Sequence, residues 1–163
     1  MVTATFADPD GNRFEREIVR HPGAVAVVPL HEDGSVTLVR QYRPAVDRHL
    51  LEVPAGIRDV DGEAPELTAR RELREETGLV ATKVEPLVGF YNSPGFCDQE
   101  TLLFVATGLE AGEAAPAGTE ERWMEVVRIS LDEVDDLTRR RVLVDAQTLI
   151  GLQLVRERPR SPA

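Results

Sequence analysis

One cysteine, Cys97, is all the thiol chemistry that 163 residues hold, so no disulfide can close within the chain. That usage fits a reducing compartment. Aromatic residues make up only 5% of the sequence, and no apolar run approaches the roughly 20 residues that a membrane-spanning helix needs. The longest apolar stretches, such as Ala24–Leu30, have the length of a strand. The first residues carry no basic-then-apolar leader pattern. Positive charge is also in short supply. A net charge of −10 disfavours nucleic acid and anionic membranes, which are held mainly through cationic patches. These shortages together predict a soluble cytoplasmic protein with neither nucleic acid nor membrane as partner.

Apolar residues are present in quantity, at 42%, in a chain of single-domain length that can bury a core without covalent staples. The acidic surplus is uneven. Glutamates crowd residues 63–76 and return at Glu120 and Glu121. Local carboxylate excess points either to divalent cations or to a solvated helix face.

The punctuation of the chain predicts many strands and three helices. Val2–Phe6 and Arg13–Val19 flank the turn signal Asp8-Pro9-Asp10-Gly11-Asn12, which makes the first twenty residues a hairpin. Ala24–His31 reads as a strand buried on both faces, followed by strands at Val36–Arg43 and Leu50–Val53. A helix is expected from the first turn at Pro65 through Glu76, with Gly78 as its stop. Strands at Val84–Tyr91 and Thr101–Thr107 flank the loop Asn92–Glu100, and residues 110–119 read as a small, polar loop. Trp123–Ile129 is a further strand, with Trp123 expected in the core. Ser130 and Glu133 carry a capping-box pattern, and Asp145–Val155 is the last helix. Mixed order of this kind predicts an α+β chain or an α/β/α sandwich.

The run Arg71-Glu72-Leu73-Arg74-Glu75-Glu76-Thr77-Gly78-Leu79 carries the chemistry. Glu72 and Glu76 are four apart and share one helix face, with Glu75 beside it. Like charges at that spacing destabilise a helix by about 0.2–0.5 kcal/mol per exposed pair, so helix stability alone does not ask for them. A hard divalent cation removes the conflict, because Mg²⁺ takes carboxylate oxygens and keeps positions open for water and phosphate. Arg71 is placed to hold Glu75 at i,i+4. On composition alone, a charged surface helix remains the competing reading.

The spacing resembles the Nudix hydrolase family, whose box reads G-x5-E-x7-R-E-U-x-E-E-x-G-U with U apolar. Glu63 is followed by seven residues and then by Arg71 to Leu79, matching every fixed position from Glu63 onward. One departure stands out: six residues, Ile57–Gly62, separate Gly56 from Glu63, where the pattern has five. The resemblance implies a Nudix fold, an α/β/α sandwich with a mixed sheet, here carrying a short N-terminal β-hairpin. It implies Mg²⁺ as cofactor, with Mn²⁺ as a substitute. The metal would be held by Glu72, Glu76 and the backbone carbonyl of Ala55. Glu75 would be a further ligand or take part in catalysis through water, while Glu63 and Arg71 orient the carboxylates. Cations so held neutralise and polarise a pyrophosphate and generate the attacking water.

Features outside the box are similar to those of ADP-ribose and related nucleotide-sugar pyrophosphatases. They are His21-Pro22-Gly23-Ala24-Val25, Gln41-Tyr42-Arg43, Glu52-Val53-Pro54-Ala55-Gly56, and a proline, Pro94, sixteen residues after Gly78. The subgroup resemblance implies hydrolysis of ADP-ribose to AMP and ribose 5-phosphate. It makes Glu120 the general base, with Glu121 the alternative, and Arg43, Glu52, Pro94, Gly95 and Phe96 substrate-contacting residues. Another nucleoside diphosphate derivative (an ADP-sugar, GDP-mannose or an oxidised nucleotide) is the alternative substrate. A non-catalytic ADP-ribose-binding module is the third reading. The resemblance also implies a homodimer. Residues 1–20 would then form a hairpin able to contact the second copy, 21–157 the Nudix domain and 158–163 a loose tail.

Overall fold

The computed structural model describes residues 1–112 and 123–158. The first strands, β1 (Val2–Ala7) and β2 (Arg13–Ile18), form an antiparallel hairpin of their own. The turn between them is closed by Asp8, whose carboxylate accepts hydrogen bonds from the Asp10 and Asn12 amides. This is the local chemistry that favours Asp in turns.

The centre of the molecule is a four-stranded mixed sheet in the order β6-β3-β8-β7, with β3 (Ala24–Pro29), β6 (Ala55–Ile57), β7 (Leu79–Tyr91) and β8 (Glu100–Ala111). Strands β3 and β8 run parallel; the other neighbours are antiparallel. Every residue of β3 is buried. Its alternate side chains enter two different cores, which is why this strand reads as an unbroken apolar run. Val25 and Val27 pack with Ala69 and Leu73 of helix α1 (Pro65–Thr77). Ala26 and Val28 face the other way, toward β4 (Ser35–Arg43), β5 (Arg48–Glu52), β9 (Glu125–Ser130) and helix α3 (Ala146–Glu157). The strands β5-β4-β9 form a second, antiparallel sheet. The short helix α2 (Val134–Arg139) lies between β9 and α3 in the chain. Helices therefore flank the central sheet on both sides, as the sequence predicts.

Several boundaries move. β7 begins at Leu79 rather than Val84, because Gly78 ends α1 with a left-handed φ of 71° and its amide on the Arg74 carbonyl. Chain reversal at a single glycine lets the next residue enter a strand at once. Leu79, Val80 and Ala81 then pair with Ala111, Glu110 and Leu109, so β8 outlasts its predicted end. The Pro94-bearing loop, the Ser130 capping box and the Asp145 cap of α3 fall where expected. Trp123 does not reach the core: it is 83% exposed. β9 starts two residues later, at Glu125, so Trp123 lies outside the register whose inward positions meet β4. Residues 113–122, which include Glu120 and Glu121, and residues 159–163 of the expected tail lie outside the described residues.

Leu73 sits fully buried between α1 and β3. Leu73→Ala should cost about 2–5 kcal/mol in urea unfolding, the range for truncating a buried leucine in a packed core. A loss under about 1 kcal/mol would mean that the helix is not pinned to the sheet at this residue.

Candidate active site

Helix α1 has two working faces. Ala69 and Leu73 lie against the sheet, and Glu72 and Glu76 lie one residue round from them. That offset draws both carboxylates into the junction with β6, leaving them only 7% and 9% exposed. Glu76 Oε2 accepts a hydrogen bond from the Ala55 amide at 3.2 Å, bringing helix and Pro54-Ala55-Gly56 turn together. Gly56 stands directly beneath the carboxylate of Glu72. A methyl group built on Gly56 would overlap Glu72 Cδ and both its oxygens, so only glycine fits while Glu72 keeps this position.

One guanidinium organises the rest. Arg71 Nη1 stands 2.7 Å from Glu72 Oε1 and 3.0 Å from Glu75 Oε2, and its Nη2 3.4 Å from Glu63 Oε2. Burial lowers the Arg71 pKa, but the bonds to Glu63, Glu72 and Glu75 outweigh it and hold the group above its ordinary value. The Thr68 hydroxyl and then Arg71 keep Glu63 below the usual carboxylate range. The carboxylates of Glu63, Glu72, Glu75 and Glu76 thus crowd one region, three of them on one guanidinium. Among the described residues no three acidic, histidine or cysteine side chains already stand as a metal cage. The donor chemistry nevertheless fits a hard divalent ion: closely spaced, half-buried to buried carboxylate oxygens with one peptide turn against them.

A second polar cluster joins the ends of β4 and β5. Arg43 Nε lies 2.9 Å from Glu52 Oε1, its Nη2 binds Glu52 Oε2, and Gln41 Nε2 donates to the same Oε2 at 3.1 Å. The Glu52 hydrogen bonds raise the Arg43 pKa against the effect of burial, with Glu76 contributing from farther away. Glu52 is 1% exposed, so its carboxylate faces Arg43 and Gln41 rather than solvent. One edge of the Arg43 fork is thereby committed to Glu52.

Pro94, Gly95 and Phe96 lie in the loop after β7. The loop is closed by the Phe96 and Cys97 amides on the Ser93 carbonyl and tied to the end of the hairpin by Val19 N to Phe96 O at 2.8 Å. Phe6, Phe14, Tyr91, Pro94 and Phe96 line an apolar cleft of about 400 Å³ there, with Arg16 on its wall. Tyr91 and Phe96 are 59% and 58% exposed, so neither is a core residue. The cleft and the Glu72–Gly56 contact share the end of the sheet where β3 and β8 begin and β6 and β7 finish.

Two features escape sequence reading. The steric demand at Gly56 depends on how close α1 comes to β6. The lack of an ion pair at Arg58 likewise depends on tertiary placement; the sequence marks it only as a charged residue in the stretch one longer than the box allows.

The family model described as NUDIX domain matches residues 20–146. The chain is 40% identical over 145 residues to an ADP-ribose pyrophosphatase of Bacillus subtilis, covering 89% of this chain and 78% of that protein. It is 39% identical to a methanol dehydrogenase activator of Bacillus methanolicus, with the same coverage. A crystal structure of an ADP compounds hydrolase superposes with a TM-score of 0.79 at 24% identity, covering 96% of this chain and 91% of that one. That likeness is one of fold. With the box helix set against the mixed sheet and a family model spanning most of its length, this chain belongs to the Nudix family.

Proposed function

We infer that this protein is a Mg²⁺-dependent Nudix pyrophosphatase that hydrolyses ADP-ribose to AMP and ribose 5-phosphate. The observation that carries the reading is the Glu63–Arg71–Glu72–Glu75 network beside buried Glu76, in a chain 40% identical to ADP-ribose pyrophosphatases. Glu72, Glu76 and the Ala55 carbonyl would hold the ion, with Glu75 as a further ligand. Bound there, Mg²⁺ would neutralise the diphosphate and polarise it as a Lewis acid. Arg71 and Glu63 keep the carboxylates apart and oriented, and Gly56 leaves room for Glu72. Glu120, with Glu121 as the alternative, takes the proton from water as it attacks phosphorus and the bridging P–O bond breaks. Arg43, poised by Glu52, faces the phosphates, and Pro94, Gly95 and Phe96 border the nucleoside. GDP-mannose or another nucleoside diphosphate derivative is the alternative substrate. A binding-only module is disfavoured because the R-E-x-x-E-E core is complete.

The β1–β2 hairpin supports a homodimer. Among the described residues it pairs with no other strand, and it exposes Phe6 and Phe14. A two-stranded ribbon is marginal by itself, and a second copy would cover it. The single cysteine agrees with a cytoplasmic setting. No helix of the described residues is long and apolar enough to cross a membrane.

A panel of nucleoside diphosphate derivatives with Mg²⁺ or Mn²⁺ tests the substrate; the expected result is AMP from ADP-ribose, abolished by chelation and restored by Mg²⁺. An inert ADP-ribose arm beside turnover of GDP-mannose would replace the assignment. Glu76→Gln should remove most activity, about 100-fold or more, with the circular dichroism spectrum unchanged; undiminished turnover would exclude Glu76 as a ligand. Gly56→Ala should lower metal affinity by displacing Glu72, read as a higher Mg²⁺ concentration for half-maximal rate. Glu120→Gln should depress kcat by about 100-fold or more while KM changes little. A pure KM effect would move the base to Glu121 or elsewhere.

A further inference from the structure

The partly buried arginines Arg40, Arg43, Arg70, Arg71 and Arg158 are each engaged in an ion pair with a carboxylate. Arg58 is the exception. It is partly buried and makes no ion pair among the described residues; its Nε, like those of Arg40 and Arg71, is shielded from solvent without a hydrogen-bond partner. Buried donors left unmatched are uncommon in folded proteins, and a cation so placed calls for an explanation.

Its location supplies one. The Arg58 amide donates to the Gly23 carbonyl at 3.1 Å, extending the β3–β6 ladder by one residue past Ala24–Ile57. The side chain lies across Gly23, where a Cβ would stand 3.5 Å from Nη1 and 3.5 Å from the Glu100 carbonyl oxygen. The Glu100 carboxylate is turned toward Gly89, with Oε1 3.3 Å from a Cβ built there. Side chains alternate along β6, so Arg58 projects to the same face as position 56, the face on which Glu72 lies. The two positions are about 7 Å apart along the strand. Arg58, with no ion pair among the described residues, thus stands one pleat along the strand from Gly56, against which Glu72 lies, and within the stretch that exceeds the family pattern by one residue.

We propose that Arg58 is a substrate-binding residue that takes the non-bridging oxygens of the diphosphate on the sheet side of the site. The inference rests on the diphosphate reading given above. A metal-bridged diphosphate keeps negative oxygens that the ion does not cover, and a planar fork of N–H donors suits phosphate oxygens. Arg43 has one edge of its fork on Glu52, whereas Arg58 makes no ion pair among the described residues.

The test compares native protein with Arg58→Gln and Arg58→Lys. ADP-ribose kinetics with Mg²⁺ give KM and kcat, calorimetry with inorganic pyrophosphate and Mg²⁺ gives affinity, and thermal melting reports on structure. Arg58→Gln should raise KM and weaken pyrophosphate binding by about 10- to 100-fold, the range for a hydrogen bond to a charged group, while the melting temperature stays near native. Arg58→Lys should recover part of the affinity. Should Arg58→Gln fail to fold, Arg58→Lys carries the comparison, with weakened pyrophosphate binding expected and unchanged binding overturning the proposal. If native protein turns over ADP-ribose and both variants match it in KM and pyrophosphate affinity, the Arg58 role is wrong and the enzyme assignment stands. If ADP-ribose is inert but Arg58→Gln still loses pyrophosphate affinity, the substrate assignment falls and Arg58 stands. Native protein that binds no pyrophosphate overturns the proposal outright.

Discussion

Three carboxylates on one guanidinium is the interaction on which the site depends. Glu63, Glu72 and Glu75 converge on Arg71, with Glu76 close by at 9% exposure. Removing carboxylates from water costs several kcal/mol each unless they are paired, and crowding them on one side of a helix sets like charges against each other. The helix stays in place because its other face contributes the apolar contacts of Ala69 and Leu73 with Val25 and Val27. Burial on one side of α1 thus supports electrostatic frustration on the other. Such frustration in a small region is characteristic of sites where function overrides local stability.

The closeness of α1 to β6 turns that frustration into geometry. With glycine at position 56 the Glu72 carboxylate rests on the backbone, and the Ala55 amide steadies Glu76. Both contacts come from the short segment between β5 and α1. Gln41, Arg43 and Glu52 brace the strand ends just before it. The Val53 amide donates to Thr148 Oγ1 at 2.9 Å, and Asp145 caps that same threonine, so the start of α3 is tied into this support. A carboxylate as buried as Glu52 is stable only with its hydrogen bonds made, so Arg43 is held by its environment and not by its own flexible stem.

How legible this was in the sequence depended on the range of the interaction. The α1 boundaries, the double burial of β3 and the Ser130 capping box rest on local pattern, and they were readable. The extra length of β7 and β8 was not: Leu79–Ala81 are strand only because Leu109–Ala111 pair with them, a contact about thirty residues away in the chain. Trp123 misled for a related reason. Its size argues for burial, but its place before β9 decides otherwise. In the site, the i,i+4 link of Arg71 to Glu75 followed from helical spacing, whereas the burial of Glu52 required two strands to be registered first.

Arg43 and Arg58 show how residue type alone can mislead about ligands. An arginine at a strand end that closes a Q-Y-R motif looks like an anion site, and Arg43 does lie near Glu76 in charge terms. Yet two of its nitrogens already hold a carboxylate that is 1% exposed, and pulling it away would strand that charge in the interior. Breaking a buried pair in this way costs about 3–5 kcal/mol, more than one phosphate contact typically returns. Under the proposed reading, Arg43 would meet a phosphate with its remaining edge, keeping Glu52 in hand. Arg58 has no such commitment to a carboxylate among the described residues, so a bond from it to a phosphate would not break an ion pair. On that asymmetry, the proposed diphosphate recognition would divide between a braced cation at the β4–β5 end and an unbraced one beyond β6.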